Sequence, residues 1–154
     1  MDDEGHKRMY RCTKPRSLIS MAILAIYVMQ GIPENAHAHA TFEINNVSSD
    51  DGHVVLHLYE SKTSFKKFNP DRSYKKVATK GTTIIPVDDY HEGDIAIFVF
   101  HDENSDEKFN TSIFWTPKEG YAYSNQYIPT GIPKYEEALF RLEHGVKANL
   151  ELIY

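Results

Sequence analysis

The sequence predicts an all-β domain, a single antiparallel β-sandwich of about seven short strands. Segments in which apolar and polar residues alternate are separated by clusters of Gly, Pro, Asn, Asp and Ser at intervals of about 8–12 residues. No long stretch of the mature region repeats its apolar residues with the 3.6-residue period of a helix. Neither an internal repeat nor a low-complexity linker divides it.

The first two predicted strands lie at residues 41–45 and 53–59, where apolar and polar side chains alternate. In the second strand the apolar residues at even positions share one face, because successive side chains of a strand point to opposite sides. Residues 48–52, Ser-Ser-Asp-Asp-Gly, have the composition of a turn and predict that the two strands form a hairpin. Residues 65–78 are compatible with one short helical turn or with an irregular crossover.

The later strands differ in how much of their surface is apolar. Residues 82–87 form a β-branched run, and Pro86 near its end indicates an edge strand. Residues 95–100 are apolar on both faces, which is typical of a buried central strand. Residues 137–143 and 146–152 alternate on either side of a glycine turn, and we expect them to form a hairpin.

The N-terminal region predicts a secretory signal peptide over residues 1–38. Basic residues precede an apolar run of 12 residues, Leu18–Met29, and the small-residue pattern AHAHA follows at 36–40. Twelve residues are too few to cross a bilayer core of roughly 30 Å as a helix, so a retained anchor is the less favoured alternative. Cleavage after Ala38 or after Ala40 satisfies the small-residue rule equally well.

Removal of this leader would leave residues 39–154, a chain of 116 residues that suffices for one hydrophobic core. The single cysteine, Cys12, belongs to the leader, so the mature domain has no disulfide. Its 12 Lys and Arg against 18 Asp and Glu give a net charge of −6, which argues against nucleic acid or an anionic membrane as partner. We expect a periplasmic or secreted monomer without stable membrane insertion. The sequence does not identify its protein or small-molecule partner.

An acidic, amide-rich loop follows the central strand. Oxygen-bearing groups recur at alternate positions, the spacing with which a loop wraps a hard cation such as calcium. The candidate ligands are Asp102, Asn104, Asp106, the backbone carbonyl of Lys108, and Asn110. Only two of them carry a formal charge, so a calcium site here would be weak, in the range of about 10⁻⁴–10⁻³ M. The alternative is a solvated loop in which the Asp and Asn side chains cap backbone amides as Asx turns.

A connection rich in Pro, Gly and aromatic residues runs from Phe114 to Tyr135. A connection of this length in a small domain is usually functional or folded back on itself. The rings could form a platform for a small ligand beside polar anchors, or they could plug an open edge or end of the sandwich. For the platform, the candidate ligand-binding residues are Trp115, Lys118, Glu119, Tyr121, Tyr123 and Asn125.

The order of these motifs resembles the bacterial secreted family known as domain of unknown function 2141. The resemblance covers residues from about 41 to 154, and it rests on LYES at 58–61, GDIAIFVFHDEN at 93–104, PKEGYAYSN at 117–125 and EEALF at 136–140. It implies an immunoglobulin-like or prealbumin-like sandwich with no assigned biochemical activity. Members usually carry Gly and Asp where this chain has Glu107 and Asn110. If the backbone at Glu107 needs a positive φ, the substitution costs about 1 kcal/mol.

The histidines suggest two further metal hypotheses. His53 and His57 are four residues apart on one predicted strand and share a face, although a pair of surface histidines is the commoner explanation. Cleavage after Ala38 would expose His39 as an N-terminal residue that could chelate copper, together with a second imidazole from His101 or His57. Cleavage after Ala40 would remove this possibility.

No sequence motif of a nucleophile elbow, a zinc protease or a phosphate loop occurs. Paired carboxylates could still act in a hydrolase, for which Asp102 with Glu119 is the better candidate. Glu136 with Glu137 is the weaker one, because neighbours on a strand point to opposite faces. We therefore expect a non-catalytic extracytoplasmic module, with a small metal-dependent enzyme as the alternative. A buried carboxylate pair would favour the enzyme, and an exposed Glu119 without a concave site would favour the module.

Overall fold

The computed structural model describes residues 39–113 and 116–154. The predicted signal peptide at 1–38, with the cleavage sites at its end, lies outside these residues, as do Phe114 and Trp115. Within the described ranges no helix has the length and apolar character that crossing a membrane requires.

The described residues contain eight strands, one short α-helix and two 3₁₀ turns. The strands are β1 (His39–Val47), β2 (His53–Tyr59), β3 (Arg72–Val77), β4 (Gly81–Asp88), β5 (Gly93–Asp102), β6 (Tyr121–Tyr123), β7 (Leu139–Leu142) and β8 (Lys147–Glu151). Helix α1 spans Lys62–Lys66, and the 3₁₀ turns span Ser124–Gln126 and Tyr135–Ala138.

These strands form two sheets, which confirms the predicted all-β sandwich. The smaller sheet has the order β4-β1-β8, and the larger has the order β3-β2-β5-β6, with β7 also paired to β5. All pairs are antiparallel except β1 and β8, which run parallel over Thr41–Asn45. Whether the sandwich is immunoglobulin-like or prealbumin-like stays a prediction.

Both predicted hairpins are wrong, because each connection carries the chain from one sheet to the other. Strands β1 and β2 belong to opposite sheets, and β7 pairs with β5 while β8 pairs with β1. The turn at residues 48–52 is instead packed tightly against the end of β5. Gly52 has φ 65°, and a Cβ there would lie 1.9 Å from the backbone oxygen of Asp102. Only glycine fits this crossover.

The ambiguous stretch at residues 65–78 contains the end of α1 and the strand β3, which the sequence did not predict as a strand. The Ser61 hydroxyl accepts a hydrogen bond from the Ser64 backbone N–H at 3.1 Å and so caps the N-terminus of the helix. Strand β3 lies at the sheet edge, and of its residues only Arg72 and Tyr74 are not fully exposed. Its charged composition hid the strand, since an edge strand buries little apolar surface.

Strand β5 lies at the centre of the larger sheet, as the sequence predicted, and both of its faces are buried. One face packs against the smaller sheet in the sandwich core, with Ile97 only 1% exposed. The other face carries Ala96, Phe98 and Phe100 into a second apolar cluster, outside the sandwich. Pro86 lies on the edge strand β4, also as predicted.

The second cluster means that the molecule has a third layer. Phe65 of α1 and Ala138 of the second 3₁₀ turn are buried against the outer face of the larger sheet. Phe109 of the acidic loop and Tyr127 of the aromatic connection pack on the same face. The rings therefore cover a sheet face and do not plug an end of the sandwich. This face is where the candidate site lies.

Replacing Ile97 with Ala tests the assignment of the sandwich core. We expect the free energy of unfolding to fall by about 2–5 kcal/mol, because a cavity opens between the sheets. The control is Ile84→Ala on the outer face of β4, where the side chain is 53% exposed and the loss should stay within about 0.5 kcal/mol. Chemical denaturation measures both, and equal losses would contradict the two-sheet packing.

Candidate functional site

The acidic loop begins at Asp102, the last residue of β5, whose side chain is fully buried. Its two carboxylate oxygens accept hydrogen bonds from the backbone N–H groups of Asp106 at 3.1 Å and Glu107 at 3.0 Å. The loop thus folds back over the carboxylate that ends the strand. A buried carboxylate needs such donors, because desolvation of an unpaired charge is costly.

Asp106 is the second centre of the loop. Its Oδ2 accepts hydrogen bonds from the side-chain amides of Asn104 at 3.2 Å and Asn110 at 2.9 Å, and its Oδ1 accepts one from the Lys108 backbone at 3.0 Å. These bonds, that from Asn110 first, lower the pKa of Asp106 below its usual value. The structure therefore brings the four predicted Asp and Asn side chains together.

Glu119 joins this loop, although the sequence placed it with the ligand-binding residues of the aromatic connection. Its side chain is 5% exposed, and Oε2 accepts a hydrogen bond from the Asn110 backbone N–H at 2.9 Å. One oxygen each of Asp102, Asp106 and Glu119 lies within 4.8 Å of the others. Burial raises the pKa of Glu119, and the two neighbouring aspartates add to the shift.

The loop backbone is strained where the sequence indicated. Glu107 has φ 62°, in the left-handed region that favours glycine, so the expected cost at this position is confirmed in its geometry. Ser105 is left-handed as well, with φ 59°. The exposed Glu107 side chain points away from the acidic cluster and pairs with Lys75 at 2.6 Å.

The three carboxylates of the loop fit a hard cation, because carboxylate oxygen is the ligand type that calcium prefers. The side-chain amides of Asn104 and Asn110 donate to Asp106 in this structure, so they would have to turn to offer their carbonyl oxygens to an ion. A carboxylate oxygen that accepts one amide hydrogen keeps a further lone pair. In the described residues this is the only cluster of three or more acidic, His or Cys groups with metal-ligand spacing.

A large concave site lies on the outer face of the larger sheet. We call it the aromatic cleft, and its volume is about 1160 Å³. Its rings come from β2, β5, β6, the acidic loop and the end of α1, and they are His57, Tyr59, Phe68, Phe98, Phe100, Phe109, Tyr121 and Tyr123. Pockets for drug-sized ligands typically measure about 300–1,000 Å³, so this cleft has room for a complete small molecule.

The rings of the cleft pack on one another as well as on the sheet. The Phe98 ring centroid lies 4.8 Å from that of Tyr123 and 5.1 Å from that of Phe109. The His57 ring meets Phe100 edge-on at 5.5 Å. Such edge-to-face and offset contacts are favourable aromatic geometries, and they hold the rings in place before any ligand arrives.

His57 and Tyr59 place a polar pair among these rings. Tyr59 is 2% exposed, and its hydroxyl lies 3.4 Å from Nδ1 of His57. Burial, with Asp71 adding to it, raises the pKa of Tyr59 to about 12, so its hydroxyl stays protonated at pH 7. Burial lowers the pKa of His57 to about 4, so the imidazole is neutral at pH 7 and has one donor and one acceptor nitrogen.

One side of the cleft opening is formed by Phe68, which follows the C-terminus of α1. The Phe68 N–H bonds to the Phe65 carbonyl at 3.1 Å, and the Asn69 N–H bonds to the Ser64 carbonyl at 3.1 Å. This is the Schellman pattern, in which the left-handed position is usually glycine. Phe68 occupies it with φ 52°, at a cost of about 1 kcal/mol, while its side chain is 61% exposed.

The predicted ligand-binding residues separate in space. Tyr121 and Tyr123 line the cleft, whereas Lys118 and Asn125 do not, and Asn125 donates to the Leu139 carbonyl instead. The sequence analysis did not assign the β2 and β5 rings to a ligand site. The apolar residues on both faces of β5 were a signal for this site, because the face that does not pack in the sandwich core has to contact other apolar residues.

The acidic loop forms part of the cleft. Glu107, Lys108 and Phe109 lie along its lining, directly after the carboxylates that fold the loop. Asp102, Asp106 and Glu119 do not line it. The buried carboxylate pair that would favour an enzyme is present, but its oxygens accept loop amides and face away from the concave site.

His39 and His101, the histidines of the copper hypothesis, have different surroundings. His39 pairs with Asp88 at 2.5 Å, and its ring centroid is 6.3 Å from that of His144. His101 is fully buried, with Nε2 donating to the Asp51 carbonyl at 2.8 Å and Nδ1 3.0 Å from the Tyr154 hydroxyl. The imidazole beside His39 thus belongs to His144 and not to His101 or His57. Copper binding at His39 stays a prediction.

His53 and His57 share the outer face of β2 but have different neighbours. His53 Nδ1 lies 3.4 Å from the Ser105 hydroxyl, and His57 Nδ1 faces Tyr59. Neither histidine belongs to the one metal-spaced cluster found in residues 39–113 and 116–154.

The sequence model of a bacterial family matches residues 42–149 of this chain. The family is described as "Uncharacterized protein conserved in bacteria (DUF2141)". No curated protein and no solved structure matches the chain significantly. The match covers most of the described residues, including both the acidic loop and the aromatic cleft.

The depressed pKa of His57 predicts a pH dependence of stability. Because the unfolded chain binds a proton near pH 6.5 and the folded chain only near 4, stability should fall as pH decreases through this window. His57→Gln should lack this loss, so the difference in melting temperature between wild type and variant should shrink from pH 6.5 to 5. Melts at several pH values measure it, and a constant difference would show that His57 is not desolvated.

Proposed function

We propose that this chain, which belongs to the bacterial family DUF2141, is a secreted or periplasmic, non-catalytic module that binds a small, largely apolar ligand. The observation that carries the proposal is the aromatic cleft of about 1160 Å³ on the outer face of the larger sheet. A sheet face that only needed covering could be closed by the aromatic connection. Here the cover leaves a concave site lined by rings.

The cleft has the composition of a ligand site. Most of its lining is aromatic or aliphatic, with a few polar groups such as the His57 imidazole among the rings. At its opening Phe68 is 61% exposed and Ile132 is 89% exposed. Apolar side chains that are both exposed and adjacent to a pocket indicate a surface that a ligand covers.

The location outside the cytoplasm is supported by the leader-like residues 1–38. Export would remove the leader and leave a folded domain. Mass spectrometry of the exported protein should find its N-terminus at His39 or Thr41. An intact leader on membrane-bound protein would contradict this part of the proposal.

We further propose that the acidic loop binds calcium weakly and that the ion has a structural role. Three carboxylates meet there, and none of them is paired with a Lys or Arg side chain in the described residues. A cation would relieve their mutual repulsion, which adds to the effect of burial in raising the pKa of Glu119. Since Lys108 and Phe109 line the cleft, an ion in the loop would hold one side of the ligand site in position.

The proposal is non-catalytic because the cleft lacks an acid–base pair with accessible oxygens. The carboxylates of Asp102 and Glu119 lie in the loop and accept its amides. Glu107, the acidic residue that does line the cleft, is held by Lys75. His57 stays neutral and is oriented by Tyr59, which suits a hydrogen-bonding anchor.

The neutral fluorescent probe phenylnaphthylamine tests the cleft. It should bind the exported protein with increased fluorescence, because its rings leave water for an apolar site. Gly131 lines the cleft, and a Cβ there would meet nothing within 4 Å, so Gly131→Phe can occupy the opening without strain. We expect this variant to lose most of the fluorescence increase.

Gly131→Ala is the matched control, since its methyl group is too small to block the cleft. Probe binding should survive in this variant, and all three proteins should melt at similar temperatures. If wild type does not bind the probe, or if Gly131→Phe binds it unchanged, the aromatic cleft is not a ligand site.

Calcium should stabilise the exported protein. With a dissociation constant of about 10⁻⁴ M, about 10 mM calcium should raise the free energy of unfolding by about 2.7 kcal/mol. Glu119→Gln should remove this increment, because it withdraws one of the three converging carboxylates. Denaturation with and without calcium, at matched ionic strength, measures the effect.

Glu103→Gln is the control for the calcium experiment, because Glu103 belongs to the same loop but its exposed side chain bonds to Ser48. It should keep the full calcium increment. No stabilisation of wild type would show that the loop is an amide-satisfied turn, and equal losses in both variants would indicate only nonspecific charge screening.

A further inference from the structure

Resting on the proposed function, we propose that the ligand of the aromatic cleft is an apolar monocarboxylate. Its hydrocarbon or aromatic body would lie on the rings, and its carboxylate would be bound by the lysines that line the cleft. The lining of the cleft has more cationic and hydrogen-bond-donating side chains than accepting ones. This excess of donors favours a ligand that is an anion and accepts hydrogen bonds.

Two lysines from separate segments line the cleft, Lys66 at the end of α1 and Lys108 in the acidic loop. In the part of the chain that the structure describes, neither ammonium group forms an ion pair. Glu107, the acidic lining residue, is already bonded to Lys75 at 2.6 Å. The cleft is therefore locally cationic in a domain whose Asp and Glu outnumber its Lys and Arg.

The interior of the cleft adds neutral donors. The Nε2 nitrogen of His57 has no partner among the described residues, and it presents an N–H in the tautomer whose Nδ1 accepts from the Tyr59 hydroxyl. Every fully buried side-chain nitrogen or oxygen in these residues has a hydrogen-bond partner. Since Nε2 of His57 has none, it is accessible to solvent. The hydroxyls of Tyr121 and Tyr123 likewise have no described partner. A carboxylate accepts from all of these groups.

The same inventory disfavours a sugar, the other ligand that stacks on aromatic rings. Sugar hydroxyls donate as well as accept, so they need carboxylate or amide oxygens opposite them. The described lining contains no Asp, Asn or Gln, and its Glu107 is occupied. A ligand that only accepts hydrogen bonds matches the site better.

Phe68 provides an independent observation. A left-handed Phe at the glycine position of a helix terminus is strained, and its mostly exposed ring gains little from packing. Contact with an apolar ligand at the cleft opening would account for a ring in this position.

Displacement of phenylnaphthylamine from the exported protein tests the inference. Dodecanoate is compared with dodecanol, and naphthoate with naphthylmethanol, so that each pair differs only in its charged group. We expect the carboxylates to bind about tenfold more tightly than their alcohols, as charge-assisted hydrogen bonds would provide. The ratio between dodecanoate and naphthoate shows whether the body is an acyl chain or an aromatic ring.

The double variant Lys66→Gln with Lys108→Gln should reduce the carboxylate preference to about twofold or less while still binding the neutral alcohols. Lys118→Gln is the matched control, because Lys118 is an exposed lysine of the same region that does not line the cleft. It should keep the tenfold preference. Thermal melts of all variants verify that they are folded.

The Phe68→Gly variant tests whether the strained Phe68 contributes to ligand binding. The variant should melt at the same temperature as wild type or higher, because glycine suits the left-handed backbone, and yet bind dodecanoate several-fold more weakly. Equal affinities for acids and alcohols in wild type, or probe displacement by cellobiose, would overturn the carboxylate inference and leave the ligand site intact. No probe binding at all would overturn the proposed function itself.

Discussion

The burial of both faces of β5 is the constraint on which the rest of the structure depends. One partner sheet can bury only one face of a central strand that is apolar on both faces. Other segments of the chain therefore have to pack on the opposite face. The smaller sheet covers the face that carries Ile97. Helix α1 and the aromatic connection cover the face that carries Phe98 and Phe100. The molecule is therefore a sandwich with an added third layer, and the cleft lies in that layer.

The third layer differs physically from the sandwich core. The core is formed by strands whose backbone groups bond to one another, whereas the cover consists of a five-residue helix, short 3₁₀ turns and irregular chain. Irregular segments pack less completely than sheets, because their backbone polar groups also need partners. Aromatic rings fill much of the space with few residues, and what they leave unfilled is a concave apolar site.

Asp102 connects the layers. Its backbone oxygen lies where only Gly52 allows the β1–β2 crossover to pass, and its carboxylate folds the acidic loop that continues into the cleft. The loop amides and the Asn side chains distribute the charge of three carboxylates through hydrogen bonds. One residue at the end of the central strand thus couples the sandwich, the proposed cation loop and one side of the proposed ligand site.

The sequence by itself determined features that depend on local pattern. Period-two alternation identified most strands, the continuous apolar run at residues 95–100 predicted that both faces of β5 are buried, and Pro86 indicated an edge strand. Alternating oxygens identified the acidic loop, because Asp102 to Asn110 are close along the chain and converge within one turn system. Only the tertiary structure decided which strands pair. Alternation specifies the face of a strand but not its neighbour, so the parallel β1–β8 pair and both sheet crossovers escaped prediction. For the same reason the sequence did not place Glu119 with Asp106 or His57 in the aromatic cleft, because only packing brings these distant residues together.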